Sequence, residues 1–119
     1  GIALAARHPQ IQVHLIESRH KRAVFLRRVV TEAGLKNATV RQLRTEDVDE
    51  KYDGLISRAY KPVADYLSDA EKMCKPEGYA VLLLGGEGET PLPKGWTRIE
   101  EDRYRVGDGW RRRWTLKQL

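Results

Sequence analysis

The chain reads as an α/β layer fold, a doubly wound and mostly parallel sheet closed by a C-terminal antiparallel hairpin. Three observations predict it. Helical and extended patterns alternate along the sequence, the mark of layered βαβ architecture. Tyr79 to Leu84 (YAVLLL) is a continuous apolar run bounded by turn residues, as expected of a strand buried inside a parallel sheet. Gly107-Asp108-Gly109 separates two extended segments, and Asp-Gly between such segments signals a hairpin. With 119 residues, no internal repeat and no linker, residues 1–119 are expected to form a single domain.

The elements follow in order. Gly1 to Arg7 (GIALAAR) reads as a helix that ends before Pro9, because the residue before a proline avoids the helical region. Ile11 to Ile16 (IQVHLI) reads as a strand. His20 to Ala33 is the clearest helix. Ala23, Leu26, Val30 and Ala33 form its apolar stripe, Phe25 and Val29 widen it, Ser18 can cap the start and Gly34 suits the left-handed closing position. Ala38 to Leu43 is a shorter strand, followed by an acidic loop or helical turn from Arg44 to Lys51. Tyr52 to Arg58 (YDGLISR) is a third strand. Pro62 opens a helix through about Met73, and Lys75-Pro76-Glu77-Gly78 is turn chemistry. After the apolar run, Gly85 to Gly95 is a loop, and Trp96 to Tyr104 and Arg111 to Lys117 are the two arms of the hairpin.

Composition removes several function classes. The one cysteine, Cys74, excludes an internal disulfide and a Cys-rich zinc site and reads as a small hydrophobe at a helix end. No run approaches the roughly 18 apolar residues of a membrane span, so a soluble protein of a reducing compartment is expected. His8, His14 and His20 lack ligand spacing on a common face. No Ser–His–Asp or GxSxG pattern occurs, and Gly85-Gly86-Glu87-Gly88 lacks the Lys-Ser/Thr ending of a phosphate loop, so it reads as a flexible loop. Lys plus Arg outnumber Asp plus Glu by 22 to 17, a formal charge of +5, which suits a polyanionic partner without requiring one.

In open α/β sheets ligands bind beyond the carboxyl ends of the strands. The polar residues at those ends are Glu17, Thr45 with Glu46, and Ser57 with Arg58. An acid in the position of Glu17, between a strand and a helix, can accept hydrogen bonds from ribose hydroxyls or can serve the dipole of the helix that follows. Arg58 can grip a carboxylate or phosphate with two parallel hydrogen bonds, or pair with the acidic loop before it. The run Trp110-Arg111-Arg112-Arg113-Trp114 can hold phosphates and stack on bases, or can blunt an exposed edge strand with charge. In a strand, Arg111 and Arg113 share one face and Trp110, Arg112 and Trp114 the other.

Taken together, several segments resemble the bacterial glucose-inhibited division protein B family, the small-subunit ribosomal RNA methyltransferases G. They are HLIESRHKRAVFLRRVVTEAGL (residues 14–35), RTEDV (44–48), YDGLISRAYKPVADYL (52–67) and the KPEGY turn (75–79). The block from Asp53 to Pro62 is the most specific. The resemblance covers Gly1 to about Leu84 and continues weakly to the end. It implies a class I methyltransferase fold, S-adenosylmethionine as cofactor, and methylation of the ring nitrogen at position seven of a guanine in 16S ribosomal RNA, in the cytoplasm. By position it implies that Gly1 is the tail of a glycine-rich loop, that Glu17, Thr45 and Glu46 meet the ribose and adenine, and that Arg58 lies in the cofactor site. Lys21, Arg22, Arg28, Arg111 and Arg113 would lie near RNA. The reaction asks for alignment more than for acid–base groups, so no catalytic side chain is expected.

Three departures accompany the resemblance. The chain starts at what matches the last glycine of the family's loop. An opening strand and glycine loop are therefore expected to be missing, with a gap between the strand at Ile11 and the strand at Tyr52. Leu84-Gly85-Gly86 stands where the family has a lysine before a glycine. The ending WRRRWTLKQL is more aromatic and basic than the family's usual last strand. The short start fits a fragment of a longer protein, or a truncated relative reduced to a catalytically inactive RNA-binding or ribosome-assembly module.

Overall fold

The computed structural model describes residues 1–58, 62–85 and 91–119. Its contacts divide the chain into two compact units, Gly1–Val48 and Asp49–Leu119. Among the described residues the three helices and six strands follow the predicted order.

The first unit carries α1 (Ile2–Arg7), β1 (Val13–Ile16), α2 (His20–Glu32), β2 (Ala38–Arg41) and a single 3-10 turn, Thr45–Asp47. β1 and β2 pair in parallel, Val13 opposite Ala38 and Ile16 opposite Arg41. Ala5, Val13, Leu15 and Ala38 form a small core, with Leu26, Val30 and Leu35 packed against it. Gly1 lies so close to this core that a Cβ there would collide with Leu15 Cδ2.

Two details of α2 differ from expectation. Its N-cap is Arg19, without a side-chain cap bond, so Ser18 does not cap it. Phe25 is 63% exposed. It is two positions from Ala23, about 200° around a helix of 3.6 residues per turn, and so falls outside the stripe of Ala23, Leu26 and Val30. The closing glycine behaves as predicted. Gly34 has φ of +65°. Its N–H donates to Thr31 O and that of Leu35 to Val30 O, the paired bonds of a Schellman motif.

A buried amide holds this unit together. Asn37 Nδ2 donates to the carbonyls of Ala5, His8 and Ile11 at 2.9, 3.1 and 2.9 Å. The chain between α1 and β1 has no regular ladder, and one side chain from beyond α2 bonds two of its carbonyls, those of His8 and Ile11, and that of Ala5 in α1.

The second unit carries β3 (Tyr52–Arg58), α3 (Val63–Met73), β4 (Cys74–Gly85), β5 (Trp96–Val106) and β6 (Gly109–Gln118) in one sheet of order β3-β4-β6-β5. β3 and β4 are parallel, and β6 is antiparallel to both its neighbours. The apolar run is thus interior, between a parallel and an antiparallel partner. Ala80, Leu82 and Leu84 are buried with Trp114 and Leu116 against Val63, Tyr66, Leu67 and Ala70 of α3. Among the described residues β1 pairs only with β2 and β3 only with β4.

The Lys75–Gly78 turn is embedded in β4 as an irregularity. The register jumps from Tyr52↔Cys74 to Gly54↔Tyr79, and Glu77 takes φ of +63°. Gly78 is required there, since a Cβ would crowd Cys74 Sγ and sit 2.8 Å from Lys75 O. The hairpin turn is shifted one residue from its sequence signal. Val106 pairs with Gly109, leaving Gly107-Asp108 as the two central residues, and Gly107 has φ of +59°. Positive φ at the first central residue alone is the type II′ pattern, which places glycine first.

Candidate functional site

In the first unit, the polar residues predicted at strand ends lie beyond the carboxyl edge of the β1–β2 pair. The Glu17 N–H continues the ladder to Arg41 O at 3.1 Å. The Glu17 side chain is 20% exposed and its Oε1 lies 3.9 Å from Arg22 Nε. α2 has no acidic residue in its first turn and starts at His20. Glu17 follows β1 directly and lies two residues before the Arg19 N-cap of α2, outside its first turn. Beyond the neighbouring strand, Thr45 and Glu46 lie in the 3-10 turn, with Thr45 Oγ1 donating to Glu46 Oε2 at 3.2 Å and Arg44 3.8 Å from Glu46 Oε1. His20 Nδ1 meets Gln42 Oε1 at 3.1 Å, fastening the start of α2 to the end of β2. Parallel pairing brings Glu17 and the Thr45–Glu46 turn to one edge, where carboxylates can accept hydrogen bonds from a diol.

In the second unit, Arg58 ends β3 and lines a pocket of about 440 Å³ with Leu83, Leu84, Gly85, Tyr104, Val106 and Arg111. The pocket opens at the carboxyl ends of the parallel strands β3 and β4. The register explains its make-up. Gly85 is opposite Arg111, Arg111 is opposite Tyr104, and Arg58 is opposite Leu83. Side chains two apart share a face, so Leu83, Arg111, Tyr104 and Val106 stand together. Neither Arg58 nor Arg111 has an ion-pair partner among the described residues, so the predicted alternative of a salt bridge from Arg58 to the acidic loop is not formed there. Ala59 and residues 86–88 of the glycine-rich stretch lie outside the described residues.

The Trp110–Trp114 run is not a blunted edge strand, because β6 lies between β4 and β5. Its two faces do different things. Arg112 and Trp114 are 7% and 3% exposed. Arg112 Nε donates to Gly85 O at 2.9 Å, while the indole N–H of Trp114 donates to Glu101 Oε2 at 2.6 Å. The guanidiniums of Arg98 and Arg112 lie 5.1 and 5.4 Å from the Trp114 ring. On the other face Arg113 pairs with Glu100 at 3.3 Å and with Asp102. The hydrogen bond from Trp114, followed by the cations Arg98 and Arg103, holds the Glu101 carboxyl below its usual value even though its desolvation acts the other way. Burial pushes the Cys74 thiol up, away from nucleophilic chemistry.

On α2, Lys21, Arg22 and Arg28 are exposed, with Arg28 bonded to Glu32 at 3.0 Å. Among the described residues no group of three His, Cys, Asp or Glu could hold a metal ion. No helix there is long and apolar enough to cross a membrane. Two residues escaped sequence reasoning. Tyr104 reads only as part of a strand until the Gly107-Asp108 turn fixes its partner as Arg111. Asn37 carries no sequence signal, because its acceptors lie 26 to 32 positions away.

Comparisons with known proteins agree with this architecture. Residues 1–102 match the family model GidB, rRNA small subunit methyltransferase G. A protein of Xanthomonas oryzae pv. oryzae named ribosomal RNA small subunit methyltransferase G is 36% identical over 111 residues, 89% of this chain and 52% of that protein. One of the same name from Stenotrophomonas maltophilia is 38% identical over 101 residues, 81% of this chain and 48% of its own length. The chain thus spans about half the length of the curated relatives it matches. The crystal structure of TrmN from Thermus thermophilus superposes with a TM-score of 0.76 at 18% identity, covering 98% of this chain and 39% of that one. The fold is that of class I methyltransferases, an α/β architecture with mixed strand pairing. The chain belongs to the GidB family, the rRNA small subunit methyltransferases G.

Proposed function

We propose that this chain is part of an S-adenosylmethionine-dependent enzyme that methylates the ring nitrogen at position seven of a guanine in 16S ribosomal RNA. The carrying observation is the family match across residues 1–102. In this reading both units belong to one methyltransferase-like domain, residues 1–119, working in the cytoplasm where its ribosomal substrate is made.

The residues fit the cofactor by the chemistry of their donors and acceptors. Glu17 ends a strand with a half-buried carboxylate suited to ribose hydroxyls. Thr45 and Glu46 supply a hydroxyl and a second acceptor for a purine edge, and Gly1 offers backbone close against the Leu15 side chain. Arg58, with no carboxylate partner among the described residues, suits the methionine carboxylate. When bound, S-adenosylmethionine supplies an electrophilic methyl group. The chain's own task is to fix that methyl against an in-plane lone pair and to exclude water. Since the guanine nitrogen bears no proton to be removed, no general base is needed.

The cations of α2, Lys21, Arg22 and Arg28, and those of β6, Arg111 and Arg113, are the proposed contacts to the 16S RNA or small subunit. Arg28 and Arg113 already have carboxylate partners and contribute less to phosphate binding than Lys21 and Arg111. Calorimetric titration of the chain with S-adenosylmethionine tests the cofactor reading. Saturable heat is expected, weakened by Glu17→Ala and by Arg58→Ala; a folded chain that gives no heat overturns it. Mapping of 7-methylguanine in 16S RNA from cells lacking the gene tests the substrate, with loss of one modified site expected.

A further inference from the structure

We propose that Arg111 and Tyr104 form a nucleotide subsite in the second unit's strand-end pocket, in which Arg111 holds the phosphate and Tyr104 stacks on the base of a substrate ribonucleotide. This deepens the methyltransferase reading and rests on it for the nucleotide's origin in RNA.

The charge distribution of the sheet carries the inference. Arg98 and Arg103 are held by Glu101, and Arg113 by Glu100 and Asp102. Arg112 is buried and bonded to Gly85 O. Arg58 and Arg111, both lining the pocket, have no carboxylate partner among the described residues. Two guanidiniums lining one concavity, with no carboxylate partner among the described residues, favour an anion there. The remaining walls are not those of a simple anion hole. Leu83, Leu84 and Val106 are apolar, and Tyr104 is 38% exposed. An aromatic ring beside a cation and an apolar floor is the platform on which nucleic acid bases stack. The volume of about 440 Å³ falls in the range of about 300–1,000 Å³ usual for small-molecule sites. Gly85 contributes to the geometry, because it sets no side chain opposite Arg111, and among the described residues nothing lies within 4 Å of where its Cβ would stand.

The test is equilibrium binding of guanosine 5′-monophosphate, guanosine and inorganic phosphate to the full chain, read by tyrosine and tryptophan fluorescence and by NMR. The monophosphate is expected to bind more tightly than either fragment. Arg111→Gln should weaken the monophosphate by about tenfold, the loss of one charge-assisted contact, and leave guanosine unchanged. Tyr104→Ala should weaken both the monophosphate and guanosine while Tyr104→Phe binds like the parent. Circular dichroism of each variant establishes that it is folded. Parent-like affinity for the monophosphate in folded Arg111→Gln and Tyr104→Ala overturns the subsite. A variant set that loses S-adenosylmethionine affinity and keeps the monophosphate's also overturns it, assigning the pocket to the cofactor. Titration with S-adenosylmethionine alone separates the two readings: nucleotide binding without cofactor binding sinks the methyltransferase reading and leaves the subsite standing.

Discussion

Two groups of arginines sit on one four-stranded sheet, and the sheet treats them oppositely. Around Trp114, cations are consumed by structure: Arg98 and Arg103 face Glu101, Arg98 and Arg112 flank the indole, and Arg112 caps the carbonyl of Gly85. At the strand ends, Arg58 and Arg111 face a pocket with no carboxylate partner among the described residues. The two groups interleave along β6, where neighbouring residues point to opposite faces. A basic sequence run is therefore not one functional patch. Within it Arg112 belongs to the core's polar lining, Arg113 pairs with Glu100 and Asp102, and Arg111 lines the pocket.

The largest test breaks the structural group. Trp114→Ala removes a buried indole from the main core, its N–H bond to Glu101 and the surface shared by two guanidiniums. A loss of about 3–5 kcal/mol is expected in urea unfolding, the usual cost of truncating a buried aromatic. Trp114→Phe keeps much of the packing and should cost far less. If Trp114→Ala is nearly neutral, the covered face is not the unit's core.

Next comes Arg112, which joins both groups. Its backbone lies in the core strand and its Nε donates to Gly85 O at 2.9 Å, on the pocket rim. Arg112→Met retains volume and leaves that carbonyl without this donor. A destabilisation of about 1–3 kcal/mol is expected, with weaker nucleotide binding as the rim loosens. Unchanged stability would show that the guanidinium is dispensable to the rim.

How much of this was legible beforehand depends on the distance over which each feature is decided. Helix α2 and its Gly34 stop were legible because periodicity and left-handed closure are local. The apolar run of β4 was legible for the same reason. The strand ends carrying Glu17, Thr45–Glu46 and Arg58 followed from the alternation of elements. What could not be read was anything fixed by pairing. The order β3-β4-β6-β5 makes β6 interior, so Arg112 and Trp114 are buried and the edge-strand alternative fails. The one-residue shift of the hairpin turn decides that Arg111 meets Tyr104 and not Val106. Asn37 binds carbonyls across the whole of α2, and Phe25, about 200° around the helix from Ala23, drops out of the apolar stripe.

A third test sharpens the comparison through pH. The Glu101 carboxyl titrates below its ordinary value of 4.5, chiefly because Trp114 donates to it. A depressed folded value means that its contribution to stability is complete above about pH 4.5 and is lost as pH falls through the folded value. Unfolding midpoints measured between pH 6 and 3 should drop more steeply for the parent than for Glu101→Gln. Trp114→Phe, which removes the leading cause of the shift, should flatten the parent's slope as well. Equal slopes in all three would remove Glu101 from the structural group.

The smallest effect separates the two arginine groups most directly. Arg113 is two residues from Arg111 and on the same face, but it lies against Glu100 and Asp102. Arg113→Gln leaves Glu100 and Asp102, two residues apart on β5, without their shared cation, and its half-exposed ion pairs should be missed by only about 0.2–1 kcal/mol. Arg111→Gln removes a charge that no described acid balances. Its stability should stay within about 0.5 kcal/mol of the parent, or rise as repulsion with Arg58 is relieved. The binding order should reverse, with Arg111→Gln losing nucleotide affinity and Arg113→Gln keeping it. Side-by-side urea unfolding and nucleotide titration of these two variants therefore ask whether a cation's job on this sheet is set by its partner. Identical behaviour in both measurements would erase the distinction between the groups.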